Sequence, residues 1–193
     1  MTFSSVGHVY EEGDDDHDTP GEFVEPLIDA VSGFDLDPSA STSSNLAERN
    51  VTKDEDGLSI PWHGDVWLNP PYSTVSDWLE YARNEYHRGA VDSIISLVFA
   101  RTSTQWFHNH ATTADLACFV EGRLSFGEAA NSAPAPSLVL VWGDAAENTD
   151  VVEYLSSQGF LVKLRDRDVG AQDRLDSFAP GVNACEYSES PAD

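Results

Sequence analysis

At 193 residues the chain is long enough for one domain with a substantial core and too short for two of ordinary size. Its hydrophobic share of 40% excludes wholesale disorder, and no apolar run approaches membrane-spanning length. Against 34 acids stand only 10 bases, eight of them arginine, for a net charge of −24. A dense acidic surface nearly free of lysine fits a halophilic source, a molar-salt cytoplasm in which carboxylate repulsion is screened. The rival reading is an acidic binding protein that mimics the phosphate array of DNA. No charged n-region followed by an apolar core opens the chain, so a soluble, cytoplasmic protein is expected. Cys118 lies in an apolar run and Cys185 in a polar one, which implies no disulfide framework.

Residues 1–18 end in EEGDDDHD and read as an acidic disordered segment. Asp14, Asp15, Asp16 and His17 form a charge run of the kind that is ordinarily solvated, so no metal site is expected there. TPGE (19–22) matches a capping box, with Thr19 at the N-cap, Pro20 at N1 and Glu22 at N3, although Pro26 could move the helix start toward itself. Gly33 is a C-terminal stop, after which FDLD (34–37) reads as a short strand. Val75, Trp78, Leu79, Ala82 and Tyr86 form the apolar face of the clearest helix, closed by Gly89. SIISLVF (93–99), DLACFV (115–120) and SLVLVW (137–142) are apolar strands. DVVEYLSS (150–157) reads as a helix closed by Gly159, before the strand FLVKL (160–164). Residues 166–193 carry no periodicity and read as a flexible acidic tail. Strands alternating with helices over 19–165 predict one α/β domain, a compact sandwich around a mostly parallel sheet.

The stretch VWLNPPYS (66–73) stands apart. Val66, Trp67 and Leu68 suit a buried strand, but the run then ends in an amide, two prolines and a tyrosine. Pro70 and Pro71 stiffen the chain at that point and remove two N–H donors. The plain alternative is a strand-terminating turn that happens to hold two prolines. In parallel sheets ligands bind at the carboxyl ends of strands, where both FDLDP and VWLNPPY place their polar residues.

The ordered series TP, FDLDPSAS, DEDGL, WLNPPYS, RTSTQWF and GRLSF resembles the phage-type DNA N6-adenine methyltransferases over roughly residues 19–143. N-P-P-Y alone occurs in many amino-methyltransferases, whereas the full series is more specific. The resemblance implies a Rossmann-like methyltransferase fold, S-adenosylmethionine as cofactor and adenine in DNA as substrate. It makes Asn69, Pro70, Pro71 and Tyr72 the catalytic corner. It sets Asp37 and Pro38 against the cofactor, with Asp35 as the alternative acid, Thr19 and Pro20 at the methionine end, and Asp56 and Gly57 near the adenosine. One departure is that no G-x-G follows the first strand; Ser39, Ala40 and Ser41 stand in its place.

Arg101 and Arg123 are the only bases between Arg88 and Lys163, and each could contact phosphate or a base edge, or simply pair with surplus carboxylates. Ser103 occupies a place where the family often has an acid. His108 and His110 would splay apart on a helix, so no metal is expected, and Trp106 and Phe107 read as core or pocket wall. Only 31 residues separate Asp37 from Asn69, too few for an inserted recognition domain, so recognition is expected from residues 100–136 or from a partner chain. Two other readings compete: methylation of an amino or amide nitrogen in RNA or protein, and a non-enzymatic acidic mimic or inactive relative.

Overall fold

A computed structural model of the protein describes residues 19–124 and 135–165. The acidic segment 1–18, residues 125 and 126 of the GRLSF motif, the tail 166–193 and Cys185 lie outside the described residues. Seven strands form one sheet in the order β2-β1-β3-β4-β6-β5-β7. They are β1 (Phe34–Asp37), β2 (Ala47–Asn50), β3 (Asp65–Leu68), β4 (Ser93–Phe99), β5 (Leu116–Val120), β6 (Ser137–Gly143) and β7 (Gly159–Lys163). β2, β1, β3 and β4 run parallel, with Leu36 opposite Val66 and Leu68 opposite Ser96. β6 is antiparallel to both β4 and β5, so β5 regains the common direction, and β7 is antiparallel to β5. The sheet is therefore mostly parallel, and β6 and β7 are the two reversed strands.

Four helices cover the sheet: α1 (Gly21–Ala30), α2 (Val75–His87), the short α3 (Gln105–Asn109) and α4 (Thr149–Gln158). Alternate residues of the central strands feed two separate cores. Ile95, Leu97, Phe99, Val139 and Val141 meet Phe23, Val24 and Leu27 of α1 and Val151 and Leu155 of α4. Ile94, Val98, Leu138, Leu140 and Trp142 meet Val75, Trp78, Leu79 and Ala82 of α2. Both faces are buried, which is why β4 and β6 read as unbroken apolar runs. The result is a Rossmann-like α/β/α sandwich. No helix among the described residues is long and apolar enough to cross a membrane.

The structure corrects the start of α1. Pro20, not Thr19, is the N-cap, and no side chain caps the helix; the Pro20 carbonyl accepts from Phe23 and Val24 N–H instead. Pro26 does not split the helix, which runs through it. Burial of Phe23, Val24 and Leu27 on one face offsets the hydrogen bond that proline cannot make. At the other end Gly33 adopts φ 107° and its N–H closes on the Ile28 carbonyl, a conformation that a β-carbon would strain. Asn148 caps α4 by accepting from the Asp150 and Val151 N–H groups. Trp106 and Phe107 pack, half-buried, against the α2-side core.

Candidate active site

Three neighbouring strands, β1, β3 and β4, end along one edge of the sheet. β1 delivers Asp37, β3 leads into Asn69-Pro70-Pro71-Tyr72, and β4 ends at Phe99 with Arg101 two residues later. Pro71 is extended (φ −53°, ψ 125°) and starts a tight 3-10 turn over Tyr72–Thr74 that passes directly into α2. Proline fixes that φ in advance, so the corner has little freedom to open.

Asn69 is gripped from three sides. Its side-chain Nδ2 donates to Thr19 Oγ1 at 3.1 Å, and its Oδ1 accepts from the Tyr72 hydroxyl at a long 3.4 Å. Its backbone carbonyl accepts from Ser39 Oγ at 3.1 Å. The donor end of the amide thus rests on Thr19 and its acceptor end lies toward the Tyr72 hydroxyl. The Tyr72 ring lies on Phe99, with centroids 3.7 Å apart and planes within 15°. Phe99 is itself 1% exposed, so Tyr72 is backed by a ring that cannot move aside. The Arg101 guanidinium sits 5.9 Å from the centroid of the Phe99 ring.

Asp37 stands at the same edge and is 3% exposed. Burial pushes its carboxyl from the ordinary 3.8 up to about 7, against the opposing pull of the Ser39 N–H and the Ser44 and Ser39 hydroxyls. Those contacts measure 3.1 Å for Ser39 N–H, 3.4 Å for Ser44 Oγ and 3.5 Å for Ser39 Oγ. The ion pairs of the described residues, Arg49–Glu55 and Arg88–Glu85, do not include it. A buried carboxyl whose partners are one backbone N–H and two hydroxyls, all neutral, is suited to receive a cation, because the cation would restore its charge.

The other acid behaves differently. Asp35 Oδ2 accepts from the Asp65 N–H at 2.7 Å, at the opposite, amino edge of β3, and a β-carbon on Gly64 would overlap its carboxylate. The structure thus brings Asp37 to the corner and ties Asp35 into the strand starts. Pro38 is buried, and a β-carbon on Gly57 would overlap its carbonyl, so Gly57 allows the 56–62 loop to close against the β1 turn. Asp56 is exposed, and its carboxylate closes its own turn by accepting from Leu58 N–H (3.2 Å) and Ser59 Oγ (2.6 Å). Pro20 is half-buried at the start of α1.

Arg101 is half-buried on the loop after β4. Arg123 is exposed just beyond β5, whose direction carries it to the same edge, with β6 lying between β5 and β4. Ser103 is exposed. His110 is buried and its pKa is lowered, first by burial and then by Arg83, while His108 is exposed; the two are not brought together. Sequence reasoning missed Phe99 as part of the corner. The available signal was its position as the last residue of the strand beside β3.

The buried acid, the small-residue turn and the adjacent amide corner thus lie together along one edge of the sheet. A family model of DNA N-6-adenine-methyltransferase (Dam) matches residues 7–163. A DNA N-6-adenine-methyltransferase of Escherichia phage T1 is 28% identical over 110 residues, which cover 55% of this chain and 45% of the relative, so the chain matches less than half of that protein's length. The family match takes in every strand of the sheet and the whole of the Asp37–Asn69–Tyr72 edge, and by it the chain belongs to the DNA N-6-adenine-methyltransferase (Dam) family.

Proposed function

We propose that the protein transfers a methyl group from S-adenosylmethionine to the N6 amine of adenine in DNA, using residues 69–72 as the reaction corner. The observation that carries this is the orientation of Asn69: Thr19 takes its N–H and leaves Oδ1 facing the Tyr72 hydroxyl. An amine conjugated to a purine is a poor nucleophile, because its lone pair is delocalised into the ring. Asn69 Oδ1 and the Pro70 carbonyl accept its two hydrogens, favour a pyramidal nitrogen and return density to the lone pair. The long bond from Tyr72 is the one that the incoming amine displaces. Tyr72 stacks on the base, and Phe99 fixes the plane of Tyr72 from behind. No general base is needed before attack, so the site requires no His or Lys beside Asn69. Reaching such a corner requires the base to leave the duplex.

Asp37, with Pro38 and the Ser39–Ser41 turn, holds the cofactor's amino group; Gly57 keeps the turn in place, and Pro20 and Asp56 flank the site. Bound there, the cofactor supplies an electrophilic sulfonium methyl. Arg101 and Arg123 contact the DNA backbone or base edges, at the strand ends from which they emerge. The acidic surface reflects a molar-salt setting, in which a protein of charge −24 can approach a polyanion.

The test is transfer of labelled methyl to DNA, RNA and protein in molar KCl, followed by nucleoside analysis. N6-methyladenine in DNA is expected. Label confined to RNA or protein would replace the substrate, and absence of transfer would favour the acidic mimic.

A further inference from the structure

We infer that Thr19 is a positioning residue for catalysis: its hydroxyl accepts from Asn69 Nδ2 and so holds the catalytic amide with its oxygen toward Tyr72. This rests on the proposed methyl-transfer reading but assigns Thr19 a different task from the cofactor contact that the family resemblance implies. Thr19 lies 50 positions before Asn69, on the residue preceding the Pro20 N-cap of α1, and its side chain does not cap that helix. The hydroxyl is 3.1 Å from Asn69 Nδ2, and both residues are half-buried.

The chemistry makes the contact decisive. A side-chain amide can turn by 180° about its last torsion with almost no change in shape, exchanging acceptor for donor. A flipped Asn69 would present N–H groups to an amine that needs acceptors, and the corner would repel its substrate's hydrogens. Tyr72 alone cannot prevent the flip, because a phenol can either donate or accept. A threonine hydroxyl can do both as well, so Thr19 acts by holding the amide in place: with Ser39 fixing the Asn69 main chain at 3.1 Å, Nδ2 rests on Thr19 and Oδ1 is left toward Tyr72. Thr19 is in turn anchored through α1, whose carbonyls at Phe23 and Ala30 accept from Tyr154 Oη (2.7 Å) and Asn148 Nδ2 (2.9 Å) of the α4 region. The orientation of one amide is thereby tied to the packing of two helices.

The experiment compares Thr19→Val, which keeps the shape and removes the acceptor, with Thr19→Ser, which keeps the acceptor. Three readouts are taken: kcat and KM for DNA, cofactor Kd by calorimetry, and the Asn69 side-chain 15N–1H signals, assigned by their loss in Asn69→Asp. Thr19→Val is expected to lower kcat about 10-fold or more, as for loss of a preorganising contact, with cofactor Kd within about 2-fold. Its Asn69 amide protons should shift upfield and exchange faster with water, and Thr19→Ser should restore both the signals and most of the turnover. Unchanged Asn69 signals in Thr19→Val, or a loss confined to cofactor binding, would overturn the inference. The amide signals report without any turnover, so failure of the wild type to methylate DNA would count against the functional reading and leave this result standing.

Discussion

Replacing Asp37 by Asn offers a quantitative test of the cofactor side of the site. The amide imitates the protonated acid: its oxygen can still accept from the Ser39 N–H, and its Nδ2 can donate to Ser44 Oγ, which then acts as acceptor. In the folded protein the acid titrates at about 7, against 3.8 when unburied. Below about pH 4 both folded and unfolded chains hold the proton, and the wild type has its full share of stability from this group. As pH rises toward 7 the unfolded chain ionises while the native one resists, and that share is lost. A displacement of about three pH units at 1.36 kcal/mol each gives a loss of up to about 4 kcal/mol across the window. Asn has no such titration. Urea unfolding in molar KCl at pH 4, 6 and 8 should therefore show the variant gaining on the wild type by up to about 4 kcal/mol as pH rises. Calorimetry adds a second arm. If a cationic amino group docks on Asp37, the wild type releases a proton on binding near pH 6.5, visible as a dependence of the heat on buffer ionisation enthalpy. Asp37→Asn should bind more weakly and release none. A stability difference that is flat with pH, together with equal proton release in both proteins, would refute the reasoning.

Four further outcomes are expected. Asn69→Ala should reduce N6-methyladenine formation on the order of 10²-fold while cofactor binding, followed by calorimetry, stays near wild type. Phe99→Leu keeps an apolar filler but removes the ring behind Tyr72; kcat/KM for DNA should fall about 10-fold with a stability loss of under about 1.5 kcal/mol by urea unfolding. Gly57→Ala drives a methyl into the Pro38 carbonyl, so it should cost about 1–3 kcal/mol of stability and weaken cofactor affinity more than DNA affinity. Finally, circular dichroism and methyl transfer should both improve as KCl rises from dilute toward 1 M, where the Debye length is about 3 Å; a protein that folds fully and works best in dilute buffer would remove the halophile reading.

How much of this was readable from sequence depends on which physical signal each element leaves. β4 and β6 are buried on both faces, so their runs were conspicuous, yet an apolar run carries no direction, and the reversal of β6 and β7 could not be read. β2, Ala-Glu-Arg-Asn, is a half-exposed edge strand without hydrophobic alternation and left no trace. Thr19-Pro20-Gly-Glu carries a legitimate capping signature, but the threonine hydroxyl is taken by Asn69, a long-range partner that local rules do not include. Asp35 and Asp37 differ by two residues along one strand; only the register with β3 reveals that one faces the strand starts and the other the strand ends. Phe99 looked like core because it is core, and its second role follows from where β4 stops. The N-P-P-Y corner was legible because proline fixes geometry through the covalent chain itself.

The reversed strand β6 has a consequence for where the chain can vary. Because β5 and β6 are antiparallel neighbours, the connection between them, residues 121–136, leaves and rejoins the sheet at the catalytic edge, and its last residue is pinned there by the Ala100 N–H on the Pro136 carbonyl at 2.8 Å. Doubling the length of a flexible loop costs only about 0.6 kcal/mol in closure entropy, small beside the interlocked ladders on either side. Insertions, deletions or wholesale exchange in that connection would leave the pairing of β5 and β6 intact. The corner on β3 and the connection between β5 and β6 are in that sense separately variable: the first is fixed by prolines within the chain, and the second can change in length while its ends stay paired into the sheet.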